Sequence, residues 1–115
     1  MARTTITAEK FPGEVDYNGL VLTMTAADTA NQNQAKWASG MTLLAHNSGI
    51  TGRTVTVTSS LDILGRTKDI TGVAIAADEI LIFGPFTSPD GWKSADGFLY
   101  FEANHVEVEF SVLNK

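Results

Sequence analysis

The sequence predicts an all-β fold, an antiparallel two-sheet sandwich of about eight strands, on three observations. Short runs rich in Val, Ile, Thr and aromatic residues recur along the chain, the most regular of them alternate apolar and polar residues, and turn-forming clusters separate them. About eight strands also fit a jelly-roll-like order. At 115 residues the chain has the size of one domain, too short to enclose a second core. A hydrophobic share of 43% with 18% charged residues is that of a folded protein rather than a disordered one.

The elements follow in chain order. Residues 1–16 carry few large apolar side chains and are broken by Pro12-Gly13, so they are expected to form an N-terminal arm or edge strand ahead of a sandwich over 17–115. Within them, residues 4–7 are β-prone and polar, suited to an edge strand of the same sheet or to strand addition onto a neighbouring subunit. Residues 20–25 read as a buried strand. The stretch 26–39 lacks period-two alternation and predicts one helical turn or an irregular crossover, capped by Asp28 and anchored by Trp37.

Residues 41–45 read as a buried strand ended by the turn Asn47-Ser48-Gly49. Threonine and valine alternate over 54–58, where β-branched side chains favour an extended backbone. Buried strands at 73–76 and 80–83 are separated by the turn Ala77-Asp78-Glu79. Trp92 follows Pro89-Asp90-Gly91, as a lid on the end of the core or as an exposed interface anchor. Residues 98–102 form a further strand after Asp96-Gly97. Beyond Asn104, Val106, Val108, Phe110 and Val112 alternate with His105, Glu107, Glu109 and Ser111, the pattern of a half-buried strand beginning at His105.

Charge narrows the function. With a net charge of −5 and its eight basic residues scattered, the chain lacks the clustered Lys and Arg that neutralise phosphates, which disfavours nucleic acid as a partner. Only Arg66 and Lys68 lie close together. The absence of cysteine removes disulfides, thiolate metal sites and a thiol nucleophile. The opening residues lack the apolar stretch of a secretory signal, and no run approaches the roughly 18 apolar residues of a membrane span. The expectation is a chain made and folded in the cytoplasm.

No chemistry-bearing motif emerges. His46 and His105 are the candidate bases for a serine nucleophile, yet no Gly-x-Ser-x-Gly elbow accompanies them, and each reads as a half-exposed structural residue. Glu107 and Glu109 share a strand face, where two acids either divide catalytic roles or keep a strand edge soluble; the second reading is favoured. Asp62, Asp69, Asp78 and Glu79 lack the spacing that converges ligands on a metal ion. Gly49-Ile50-Thr51-Gly52-Arg53 leads to no helix, so it reads as a hairpin loop rather than a phosphate cradle. No enzyme activity and no cofactor, metal or small-molecule substrate is expected.

A set of cues then resembles the small head decoration, or cement, proteins of tailed bacteriophages. These are Ala26-Ala27-Asp28-Thr29-Ala30-Asn31 before a strand, Leu43-Leu44-Ala45-His46-Asn47-Ser48-Gly49 closing one, the strand 54–58, the run from Ala77 to Phe86, Gly97-Phe98-Leu99-Tyr100-Phe101, and the valine-rich last strand. They span most of the chain from about residue 20 onward. The resemblance implies a jelly-roll-like sandwich that assembles, often as a trimer, on the outside of a capsid and clamps the major capsid protein. It transfers no individual contact. The interface residues expected from the chain itself are Thr4, Thr5, Ile6 and Phe11 in the arm, and Phe86 with Trp92 in a lattice-facing loop. Alternatives are a tail or head-tail connector protein, or a carbohydrate-binding sandwich using Trp37, Trp92 and Tyr100.

Overall fold

A computed structural model describes residues 3–10, 23–59, 69–87, 89 and 91–114. Among them are ten strands and no helix: β1 Thr4–Thr5, β2 Glu9–Lys10, β3 Thr25–Ala26, β4 Asn33–Lys36, β5 Met41–Asn47, β6 Arg53–Thr58, β7 Ile70–Ile75, β8 Ile80–Phe86, β9 Phe98–Ala103 and β10 Val108–Asn114. One sheet has the order β1-β4-β9-β6-β7; the other runs β2-β10-β5-β8, with β3 also paired to β10.

Both sheets are mixed rather than antiparallel throughout. β1 runs parallel to β4, and β2 parallel to β10. The remaining pairings, β3 with β10 among them, are antiparallel. The inner faces share one hydrophobic cluster, with Val55, Val57, Leu99 and Phe101 from the first sheet and Met41, Leu43, Phe110 and Val112 from the second. Phe101 and Phe110 meet across the layers edge-to-face, with ring centroids 4.8 Å apart. The arrangement is sandwich-like.

The alternation over 54–58 becomes β6, with Val55 and Val57 fully buried. The last strand is shorter than its pattern predicts. It begins at Val108, while His105 and Val106 lie in the preceding turn and Val106 is exposed. Ser111, expected outside, is buried.

The strand predicted as buried over 80–83 is instead half-buried. Leu81 and Phe83 pack on the core, whereas Ile80 and Ile82 are 59% and 65% exposed. β8 then continues through Gly84, which adopts a φ of 105° and lies against the Met41 carbonyl, and through the cis Gly84-Pro85 peptide to the buried Phe86. The strand predicted as buried over 20–25 is described only from residue 23, and there it supplies β3, whose Thr25 and Ala26 are exposed rather than buried.

The stretch 26–39 holds neither a helical turn nor only a crossover: residues 33–36 are β4, a strand between β1 and β9. Asp28 does cap a turn, its Oδ1 accepting from the backbone N–H groups of Ala30 and Asn31 at 3.1 and 3.0 Å. Trp37 packs on the core as expected. Gly49 to Arg53 is no hairpin either, because β5 and β6 belong to different sheets and the loop arches between them.

Candidate functional site

The residues singled out in the sequence fall at three places. Thr4 and Thr5 form β1, in register with Asn33 and Gln34. The Thr4 hydroxyl donates to Asp28 Oδ2, and the Ile6 amide donates to the Gln34 carbonyl at 2.8 Å. Hydrogen bonds from Thr4 and from the Asn31 amide hold the Asp28 carboxyl below its ordinary value. Ile6 is buried in the common core. Phe11 lies outside the described residues.

At the second place Phe86 is buried and Trp92 lies over it, the rings 5.1 Å apart and inclined by 55°. Trp92 is half-buried against the core, the position of a lid. Tyr100 is separate again, with the Arg3 guanidinium 4.2 Å from its ring centroid. That contact occupies one face of the ring that a sugar would need.

The third place is the outer face of β5, β8 and β10. His46 Nε2 meets Asp78 Oδ1 at 3.0 Å, and Nδ1 faces Glu109 Oε1 at 3.5 Å. The Asp78 hydrogen bond raises the His46 pKa; desolvation opposes it and Glu109 adds to it. With both ring nitrogens facing carboxylates, neither is turned to a serine hydroxyl. Glu109 sits on a strand flanked by β3 and β5, so it pairs with the histidine rather than guarding an edge.

Glu107 is in the preceding turn and binds Arg53 at 2.7 Å, while the His105 Nδ1 accepts from the Glu107 amide at 3.1 Å. Asp69 accepts from the Ser59 amide and hydroxyl at 2.8 and 2.9 Å, tying the ends of the loop between β6 and β7. Among the described residues no cluster of His, Asp and Glu is arranged to hold a metal ion, and Asp62 lies outside them.

Sequence reasoning did not single out the edge beside His46. Among the described residues β8 is the last strand of its sheet, and its seven residues, Ile-Leu-Ile-Phe-Gly-Pro-Phe, carry no charge. Ile82 stands opposite Leu44 and Ile80 opposite His46, so an apolar pair projects outward at an open edge. The adjoining edge of the other sheet, β7, is also uncharged. An open uncharged edge invites pairing with another chain. The signal was present in the alternation of 80–83, hidden because aliphatic residues occupy both faces.

No protein-family model, curated protein or solved structure matches this chain.

Proposed function

We propose that this chain is a structural virion protein that binds the outside of a phage capsid and cements the lattice of its major capsid protein. The observation that carries the reading is the β8 edge, which no other described strand covers and where Ile80 and Ile82 are exposed on an uncharged strand. Such an edge gains backbone hydrogen bonds and apolar burial when a second protein covers it. The strand order supports a jelly-roll-like reading of the architecture: β3-β10-β5-β8 lies in one sheet and β4-β9-β6-β7 in the other, and the chain changes sheets at nearly every connection from β4 onward.

Assembly as a homotrimer on the shell would add many weak contacts as avidity and shift the lattice away from disassembly by mass action. The net charge of −5 suits an outward surface without nucleic acid. In this reading Thr4, Thr5, Ile6 and Phe11 serve as an arm and Phe86 with Trp92 as the lattice-facing loop. Because Ile6 and Phe86 are buried, they act by holding the docking surface in shape.

The test is co-sedimentation of purified protein with expanded phage capsids. Ile82→Lys, which places a charge on the edge, should reduce occupancy at least about tenfold while leaving the circular dichroism spectrum unchanged. Unchanged occupancy would exclude the β8 edge as the contact, and no binding by the parent protein would exclude the cementing role.

A further inference from the structure

The backbone groups of β8 divide between two sides. The Asn47 N–H donates to the Glu79 carbonyl at 3.0 Å, and inward-bonded positions alternate along an antiparallel ladder. Leu81 and Phe83 therefore turn their backbone groups to Ala45 and Leu43 on β5, while the N–H and C=O groups of Ile80 and Ile82 point to the edge, where no other described strand pairs with them. The regular stretch stops after Phe83. There Gly84 takes a φ of 105°, Pro85 has no amide hydrogen, and the pairing with β5 shifts register.

Ile80-Leu81-Ile82 reads the same in both directions. An antiparallel strand of identical sequence, centred on Leu81, sets Ile80 opposite Ile82 of the second copy and Ile82 opposite Ile80 of the second copy. Both pairs have edge-pointing backbone groups, so each exchanges two N–H···O=C bonds. Their side chains, exposed in the single chain, then meet on the outer face as one cluster of isoleucines. Charge favours the same direction. Asp78 and Glu79 precede the strand and are exposed. An antiparallel partner holds the two copies of Glu79 roughly 14 Å apart along the strand, whereas a parallel, in-register partner would set like acids about 5 Å apart.

We infer that the free protein forms a two-fold dimer by pairing β8 with β8 of a second copy, in the antiparallel register centred on Leu81. The contact is isologous and closes at two. So short an edge buries well under the roughly 1,200 Å² of a stable interface, so the dimer is weak and exchanging, with a Kd of about 0.1 mM. Another protein would need a matching apolar strand of its own; a second copy always carries one. The inference goes beyond the capsid reading and needs no capsid, but it uses the same edge, so dimerisation and docking of that edge on a shell exclude each other.

The chain has no cysteine, so single introduced cysteines report the register. Ile80→Cys and Ile82→Cys proteins are mixed under mild oxidant, each is also oxidised alone, and disulfide-linked dimers are followed by non-reducing electrophoresis. Both positions are exposed, so neither change disturbs the core. Paired positions stand about 5.5 Å apart between Cα atoms, within disulfide reach, while like positions lie on the longer diagonal. The mixture should cross-link at least about tenfold faster than either protein alone. Faster linkage of either protein alone, or equal rates in all three, would overturn the register. Sedimentation velocity of the parent should show monomer at about 10 µM and dimer near about 1 mM, with Ile82→Lys monomeric at both and unchanged in circular dichroism. A parent that stays monomeric, or that grows past the dimer, would overturn the pairing. Neither measurement contains a capsid: a failure here leaves capsid binding standing, and a dimer that forms although capsids do not bind the protein leaves this assignment standing.

Discussion

Asn47 is fully buried at the end of β5 and uses its amide on both sides. Its Nδ2 donates to the carbonyls of Thr51 at 2.7 Å and Ile75 at 3.2 Å, and its Oδ1 accepts from the Gly49 amide at 3.0 Å. One side chain thus ties the β5–β6 arch to the end of β7. Asn47→Ala removes all three bonds in a dry site, so the expected loss is about 2–4 kcal/mol, read from denaturant unfolding. His46 makes a pH-dependent contribution on the same strand. Its folded pKa lies above the unfolded value of 6.5, chiefly through Asp78, so the stabilisation is complete below that value and disappears as pH rises through the folded one. Asp78→Asn should lower the His46 midpoint in an NMR titration. The resulting drop in melting temperature should be larger near pH 5.5 than near pH 8.5. The roles of Asn47 and His46 were hidden in the sequence, where each is one polar residue near a turn; only the fold brings Thr51, Ile75, Asp78 and Glu109 to them.

At the scale of elements, alternation was readable wherever one face is polar and the strand meets its own core, as in β6. It was unreadable in β4, whose Asn-Gln-Ala-Lys carries one aliphatic side chain. That strand is held by polar bonds instead: the buried Asn33 accepts from the Asp28 amide at 2.9 Å, and Arg3 donates to the Asn33 carbonyl at 3.0 Å. Pairing on both sides supplies what hydrophobic pattern does not. In β8 the opposite failure occurs, since aliphatic residues on both faces read as full burial although one face is open. The exposed pair there has a measurable cost in solution. Ile80→Lys and Ile82→Lys should each change stability by less than about 0.5 kcal/mol, because the positions are exposed, yet lower the tendency of the free protein to self-associate in light scattering. A substitution that destabilises strongly would mean that the pair is covered within the monomer.

For the whole molecule, two-layer architecture follows from many short strands, but strand order does not, because among the described strands β6–β7 is the one consecutive pair that are neighbours in a sheet. The remaining order is decided by packing between distant parts of the chain, which no local pattern reports. The same topology makes the two sides of the sandwich unequal. On one, no described strand covers the outer edges of β7 and β8; on the other, residues 3–10 cross between the sheets, pairing with β4 and then β10 and placing Ile6 in the core. Removing residues 1–10 would take away that side chain and uncover the edges of β4 and part of β10. Ile6→Ala alone should cost about 2–5 kcal/mol, as for other buried isoleucines, and leave the backbone pairing in place. The deletion should cost at least as much and also raise self-association, because it opens edges that the substitution keeps covered. Unfolding curves and light scattering on both variants separate the effects. If the deletion matches Ile6→Ala in both measurements, the crossing segment contributes a core side chain and no edge protection.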